Sequence, residues 1–143
     1  MQEKLIFDFE PDTKDVKYVF DMLELHNSDY INIHSEPFKV TVRNQEGEII
    51  AGIESFTKWG LLLVDILWVD KKYRGFGLGK KLMDEAEMFA KKAGVNGVEL
   101  YTMSFQAQHF YEKLGYETIG EIKDCYQGQS KIYMYKKLSD SNE

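Results

Sequence analysis

LLLVDILWVDKKYRGFGLGKKLMDEAEMFAKKAG, residues 61–94, joins two kinds of periodicity across a run of glycines. Its first part, Leu61 to Val69, is apolar except for Asp65 and reads as a buried central strand. Its last part places Leu78, Leu82, Ala86, Phe89, Ala90 and Ala93 at three- and four-residue intervals, which is one buried face of a helix. Lys91 and Lys92 suit the last turn of that helix, and Gly94 stops it. Between strand and helix stand Gly75, Gly77 and Gly79. Peptide N–H groups at a helix start have no intrahelical acceptor and carry partial positive charge, so they make an anion site. Glycines there remove the β-carbons that would hold a phosphate away. On the glycines alone, a tight strand-to-helix turn fits as well as a phosphate cradle. Arg74, Lys80 and Lys81 add cations beside the amides, although the two lysines also fit a solvated helix surface.

Working outward, residues 4–9 (KLIFDF) read as a short strand ended by Glu10-Pro11. Asp12 or Thr13 caps a helix that carries Val16, Val19, Phe20 and Leu23 on one face and fades near Asn27 or Ser28. Residues 29–36 read as loop. From Phe38 the period becomes two, and residues 38–56 read as a hairpin turning at Gln45 to Glu48, followed by a second turn at Trp59-Gly60. Beyond the central helix, Val98 to Thr102 is a strand, Gln106 to Leu114 a short helix ended by Gly115, and Tyr116 to Ile122 and Lys131 to Leu138 two closing strands. The order β-α-β-β-β-α-β-α-β-β predicts an α/β (α+β) fold with one mixed, mostly antiparallel central sheet flanked by helices. A single domain over residues 1–143 is expected, with a frayed tail over 138–143.

The composition narrows the function. The chain has 143 residues, 43% hydrophobic and 29% charged, with a formal net charge of −6. An acidic chain is poorly suited to sequence-independent nucleic-acid binding, which depends on neutralising phosphates. Acidity suits a cationic small molecule or a basic peptide. Cys125 is the sole cysteine, which permits no internal disulfide and suits a free thiol in a reducing cytoplasm. The N-terminal MQEKLIFDFEPD lacks the basic-then-apolar pattern of a signal peptide, and no apolar run is long enough to span a bilayer, so a cytoplasmic protein without membrane attachment is expected. No metal-ligand spacing is present.

Two familiar phosphate motifs fit badly. A Walker A loop requires a hydroxyl residue where Lys81 follows Gly79-Lys80, and a dinucleotide fingerprint requires a different glycine spacing after the first strand of its unit. Arg74-x-x-Gly77-x-Gly79, between a strand ending at Val69 and an amphipathic helix, instead resembles the acetyl-CoA-binding motif of the GCN5-related N-acetyltransferase (GNAT) superfamily. The resemblance spans Leu61 to Gly94 and, in a second motif, Thr102 to Tyr116. One departure is Lys71, where the family often has proline. The resemblance implies acetyl-CoA as donor, its pantetheine arm along Leu67 to Val69 and its pyrophosphate on the amides of Arg74 to Lys80, with Gly75, Phe76, Gly77 and Gly79 lending backbone. An extended amide-bearing arm adds to an open strand edge as a peptide does.

SFQAQHFYEKLGY, residues 104–116, is similar to the family segment in which a helix carries a tyrosine four residues after an alanine and before a Lys-x-Gly-aromatic ending. Tyr111 takes that place, and the resemblance implies that it acts as general acid toward the departing thiolate. A phenol has an unperturbed pKa of about 10 and holds its proton at neutral pH. The same residue also fits a core aromatic, since Ala107, Tyr111 and Leu114 share a face. Ser104 stands where relatives often have asparagine and suits a helix cap; Gln106 is the compensating candidate for a cofactor contact. His109 points away from Tyr111 on a helix. For the general base, Asp65 is conspicuous as a carboxylate expected to be buried in an apolar strand, where it would accept a proton, bind the amine cation or satisfy a loop; Glu54 on the neighbouring strand is the alternative. Residues 20–40 and 124–130, with Tyr30, His34, Phe38 and Tyr126, read as the variable substrate side. The expected activity is acetyl transfer to a primary amine of a small molecule or peptide by direct attack in a ternary complex, Cys125 matching no nucleophile position. A non-catalytic acyl-CoA sensor and a nucleotide-binding regulator are the competing classes, and relatives often pair as homodimers through the closing strands.

Overall fold

The computed structural model describes residues 2–139, and the chain divides into two compact units between Ile33 and His34. The first unit contains helix α1, Thr13–Asn27, whose N-cap Asp12 accepts from the amide of Asp15 at 2.8 Å. This is the capping the sequence predicted. The strand expected over residues 4–9 does not form. Those residues pair with no strand, and Leu5, Ile6, Phe7 and Phe9 are exposed. Alternation alone does not make a strand without a ladder partner. Here the Asp8 carboxylate takes the Glu10 amide at 2.9 Å, a local bond that competes with extended pairing.

The second unit contains a six-stranded sheet: β1 Pro37–Arg43, β2 Ile49–Lys58, β3 Leu61–Val69, β4 Gly97–Met103, β5 Glu117–Tyr126 and β6 Gln129–Lys137. The spatial order is β1-β2-β3-β4-β6-β5. Only β3 and β4 run parallel; the other neighbouring pairs are antiparallel. The β1–β2 turn is held by the Asn44 side chain, which accepts the amides of Glu46 and Glu48, and Gly47 takes the left-handed backbone (φ +83°) that the turn needs. Leu138, expected to begin a frayed tail, is 5% exposed, and its amide bonds to the Asn96 carbonyl at 2.8 Å. Residues 140–143 of that expected tail lie outside the described residues.

The apolar run of β3 turns out to be a two-residue alternation with a phase jump. Leu62 pairs with Thr57 and Val64 with Ser55, whereas Leu67 pairs with Ile53 and Val69 with Ala51. The partners on β2 are all buried. A bulge opposite Glu54 and Ser55 makes Asp65 the extra residue, so the inward positions change from even to odd numbers. Asp65 is therefore exposed, which corrects the expectation that it is a buried carboxylate. A continuous apolar run and a bulged alternation look alike in sequence because Ile66 and Trp68, on the outward side, are also apolar.

Helix α2, Leu78–Lys92, lies on the inward face of the sheet and buries Leu82, Met83, Ala86, Glu87 and Ala90. Phe38 of β1 stacks on Phe89 of α2 with centroids 5.0 Å apart, so it serves the packing and not the substrate side. The closing turn of α2 bonds the Val95 amide to the Ala90 carbonyl at 3.0 Å with Gly94 left-handed, as the sequence predicted. Leu62 is fully buried beneath this helix in the core cluster. Leu62→Ala is expected to destabilise the fold by roughly 2–5 kcal/mol, seen as a lower urea midpoint at unchanged slope.

Candidate active site

The sheet opens where its two parallel strands part. β3 and β4 pair only at Leu62–Val98, Leu63–Glu99 and Val64–Leu100, although β3 continues to Val69 and β4 to Met103. Beyond Val64, β3 remains paired with β2 and has no ladder partner on its β4 side among the described residues. A cavity of about 690 Å³ lies at this parting. Leu67, Trp68 and Val69 of β3 form one wall, and Arg74, Gly75, Gly77, Gly79 and Lys80 another. Gln106, Ala107, Phe110 and Tyr111 face them from the segment carrying helix α3, Gln108–Lys113. Of the residues marked in the sequence for the donor, Phe76 and Lys81 line neither described cavity, and Phe76 is 80% exposed.

The glycines have different tasks. Gly75 and Gly77 have φ of +86° and +83° with open space where a β-carbon would stand. Gly77 is the N-cap of α2, and its left-handed backbone turns the chain into the helix without a side-chain cap. Gly79 has an ordinary φ, but its β-carbon would lie 3.0 Å from the Phe110 ring. Its smallness admits the Phe110 ring of α3. Arg74 donates from Nε to the Val69 carbonyl at 2.9 Å, which folds the loop back on the end of β3. Lys80 pairs with Asp84 at 2.8 Å, and that partner raises its pKa.

A second cavity of about 230 Å³ is lined by Val64, Asp65, Ile66, Tyr101 and Thr102 and shares Leu67, Gln106, Ala107 and Tyr111 with the first. Tyr111 thus stands on the wall common to both. It is 7% exposed, and burial pushes its phenol up to about 12. Asp65 keeps access to the smaller cavity despite its exposure. Glu54 lines neither described cavity and faces Lys39 at 3.6 Å. The Tyr101 ring carries the Lys131 ammonium 4.0 Å from its centroid.

Other marked residues lie elsewhere. Ser104 does not cap α3; its hydroxyl donates to Gln129 at 2.7 Å and accepts the Ser130 amide at 2.9 Å, tying the end of β4 to the β5–β6 turn. The amide of Ala107, the α3 N-cap, instead bonds to the Thr102 hydroxyl at 3.2 Å. Gln106 accepts the Met103 amide at 2.8 Å, so its side chain shapes the turn as well as both cavities. His109 is exposed and faces Glu112, and Cys125 is exposed at the far end of β5. Tyr73, Phe105 and Phe110 line the larger cavity and were not marked from sequence. Gly79 was the available signal for Phe110, since a helical glycine implies close approach by something.

The parting sets an open strand edge beside a helix N-terminus, an arrangement that can receive an extended chain and an anion. The open side of β3 offers peptide groups, and α2 offers its free amides. Transfer of an acyl group across the common wall is the chemistry such a site suits. Comparison with known proteins agrees: a model described as the acetyltransferase (GNAT) family matches residues 4–116. The chain belongs to that family and is an acyltransferase. It is 37% identical over 95 residues to the blasticidin-S acetyltransferase of Streptomyces morookaense, covering 66% of this chain and 70% of that one. It is 33% identical over 99 residues to an acetyltransferase of Agrobacterium fabrum, covering 69% and 72%. Among solved structures, an acetyltransferase from Bacillus cereus superposes with a TM-score of 0.84 at 30% identity, covering 94% of this chain and 98% of that one. A Bacillus anthracis protein assigned as a streptothricin acetyltransferase, in complex with acetyl coenzyme A, superposes at 0.66 with 28% identity, covering 78% and 68%.

Proposed function

We propose that the protein moves an acetyl group from acetyl-CoA to a primary amine of a small, cationic molecule by direct attack in a ternary complex. The observation that carries the reading is the position of Tyr111 on the wall shared by the two cavities at the parting of β3 and β4. Support for the donor comes from the open β3 side at Leu67 to Val69, the N-terminal amides of α2 behind Gly77, and the cations Arg74 and Lys80. Acetyl-CoA supplies an activated thioester carbonyl and a thiol leaving group. The B. anthracis neighbour in complex with acetyl coenzyme A supports the same donor.

The smaller cavity suits the acceptor. Asp65 offers a carboxylate there to hold an ammonium or to accept its proton, and Tyr101 already presents a ring to a cation. Asp65 is preferred over Glu54 because Glu54 lines neither described cavity. No cysteine or serine lines either described cavity, and the Thr102 hydroxyl is engaged with the Ala107 amide, which favours direct transfer over a covalent acyl-enzyme. Tyr111 holds its proton at physiological pH, and with a pKa well above that of a thiol it acts as a hydrogen-bond donor to the leaving sulfur. The likeness to a blasticidin-S acetyltransferase supports trying small antibiotic amines first.

The decisive experiment is a panel of antibiotic amines, polyamines and peptide N-termini incubated with acetyl-CoA and followed by free-thiol release. Turnover with small polycationic amines, in preference to peptides, is expected. Acetyl-CoA binding without turnover anywhere in the panel would assign the protein to the sensor class instead.

A further inference from the structure

Glu87 sits on the buried side of α2 among Leu82, Met83, Ala86 and Ala90, and is 9% exposed. One carboxylate oxygen accepts the Tyr116 hydroxyl at 3.0 Å, and the other accepts the Lys136 ammonium of β6 at 2.9 Å. A carboxylate in such a place is costly even when paired, and apolar residues of similar volume often give equal or greater stability. The cluster therefore calls for a purpose other than stability.

Its geometry supplies one. Tyr116 closes α3: its amide bonds to the Tyr111 carbonyl at 3.0 Å after the left-handed Gly115. Gly115 takes the left-handed backbone (φ +94°) that this closing turn needs, and the Lys136 chain passes beside it in ordinary contact. The Tyr116 ring then meets the Tyr111 ring edge-on, centroids 5.8 Å apart. On its other flank Tyr111 meets Phe110 at 5.1 Å, and Phe110 packs on Gly79 in the first turn of α2. Helix α3 has six residues and no side-chain cap, too little to hold its own orientation. Both supports of Tyr111 thus run to α2, the helix whose first amides are the proposed phosphate seat.

We propose that Glu87 is a positioning residue which, through Tyr116 and Lys136, fixes the Tyr111 phenol relative to the start of α2. This rests on the reading of Tyr111 as the group that assists the leaving sulfur. Burial, and then the adjacent Glu87 carboxylate, raise the Tyr116 hydroxyl far above the ordinary phenol range, so it stays a donor to Glu87 through the alkaline range of an assay.

The test compares Tyr116→Phe and Glu87→Gln, each alone and combined with Tyr111→Phe, by steady-state kinetics with acetyl-CoA and an amine from the panel. Calorimetric acetyl-CoA binding and thermal melts accompany the rates. Tyr116→Phe preserves the packing, so it reports even where Glu87→Gln fails to fold. The expected result is a kcat loss of roughly tenfold for Tyr116→Phe with the acetyl-CoA Kd within about twofold, and no further loss once Tyr111 is phenylalanine. An unchanged kcat, or the same fractional loss with and without the Tyr111 hydroxyl, would overturn the positioning role while leaving the acid reading standing. A Tyr111→Phe enzyme with full kcat would sink the acid reading itself, and the positioning role with it.

Discussion

Tyr111→Phe is expected to lower kcat by roughly 10²–10³-fold while acetyl-CoA affinity changes by no more than about twofold. The substitution deletes one oxygen from a ring held by Phe110 and Tyr116 and leaves that packing intact. Its cost falls on the step in which sulfur gains charge, not on ground-state binding. The pH profile provides a second readout. Because burial pushes the phenol up to about 12, Tyr111 keeps its proton through the accessible alkaline range, and kcat shows no descending limb attributable to it below about pH 11. Stability carries the same signature with a definite sign. Below pH 10 the phenol is neutral in both folded and unfolded chains; between pH 10 and about 12 the unfolded chain ionises first. The stability contributed by burying the neutral phenol is lost as pH rises through that window, and less of this loss remains in the phenylalanine variant.

The second large effect is expected at Gly77. Gly77→Val places a β-branched residue at φ +83°, where a side chain costs roughly 1–3 kcal/mol and where no neighbour blocks the new atoms. The backbone relieves the strain by leaving the left-handed region, which redirects the first amides of α2. The acetyl-CoA dissociation constant, measured by calorimetry, is expected to rise roughly 10–100-fold, since several charge-assisted hydrogen bonds share one geometry. The kcat measured at saturating donor falls much less. A dissociation constant within twofold of the unmodified protein would remove the helix-start amides from the donor site.

The parts of the molecule legible in sequence were those set by local periodicity and backbone demands. The alternation from Phe38, the helix face from Leu78 to Ala93 and the stops at Gly94 and Gly115 all depend on a few neighbouring residues. The backbone of the glycine loop was legible for the same reason, because left-handed φ at Gly75 and Gly77 selects glycine. Tyr111 was singled out through its motif, and it lies on the wall shared by the two cavities. What escaped depends on partners distant in sequence. The expected strand at residues 4–9 had the right alternation and no ladder. Glu87 was not singled out, since nothing nearby in the sequence reveals that Tyr116 and Lys136 come to meet it. Ser104 has the chemistry of a cap and is taken by the β5–β6 turn instead. Asp65 was marked for the wrong reason: its burial was inferred from apolar neighbours that in fact belong to alternate faces of the strand.

That extra residue in β3 also limits how this sequence can change. Upstream of Asp65 the core reads Leu62 and Val64; downstream it reads Leu67 and Val69, and only the one-residue offset keeps both pairs on the same side. Deleting a residue there would act like a frameshift at the level of the fold, sending Leu67 and Val69 to solvent and Ile66 and Trp68 inward. At this seam the fold depends on the count of residues, whatever side chain the extra one carries.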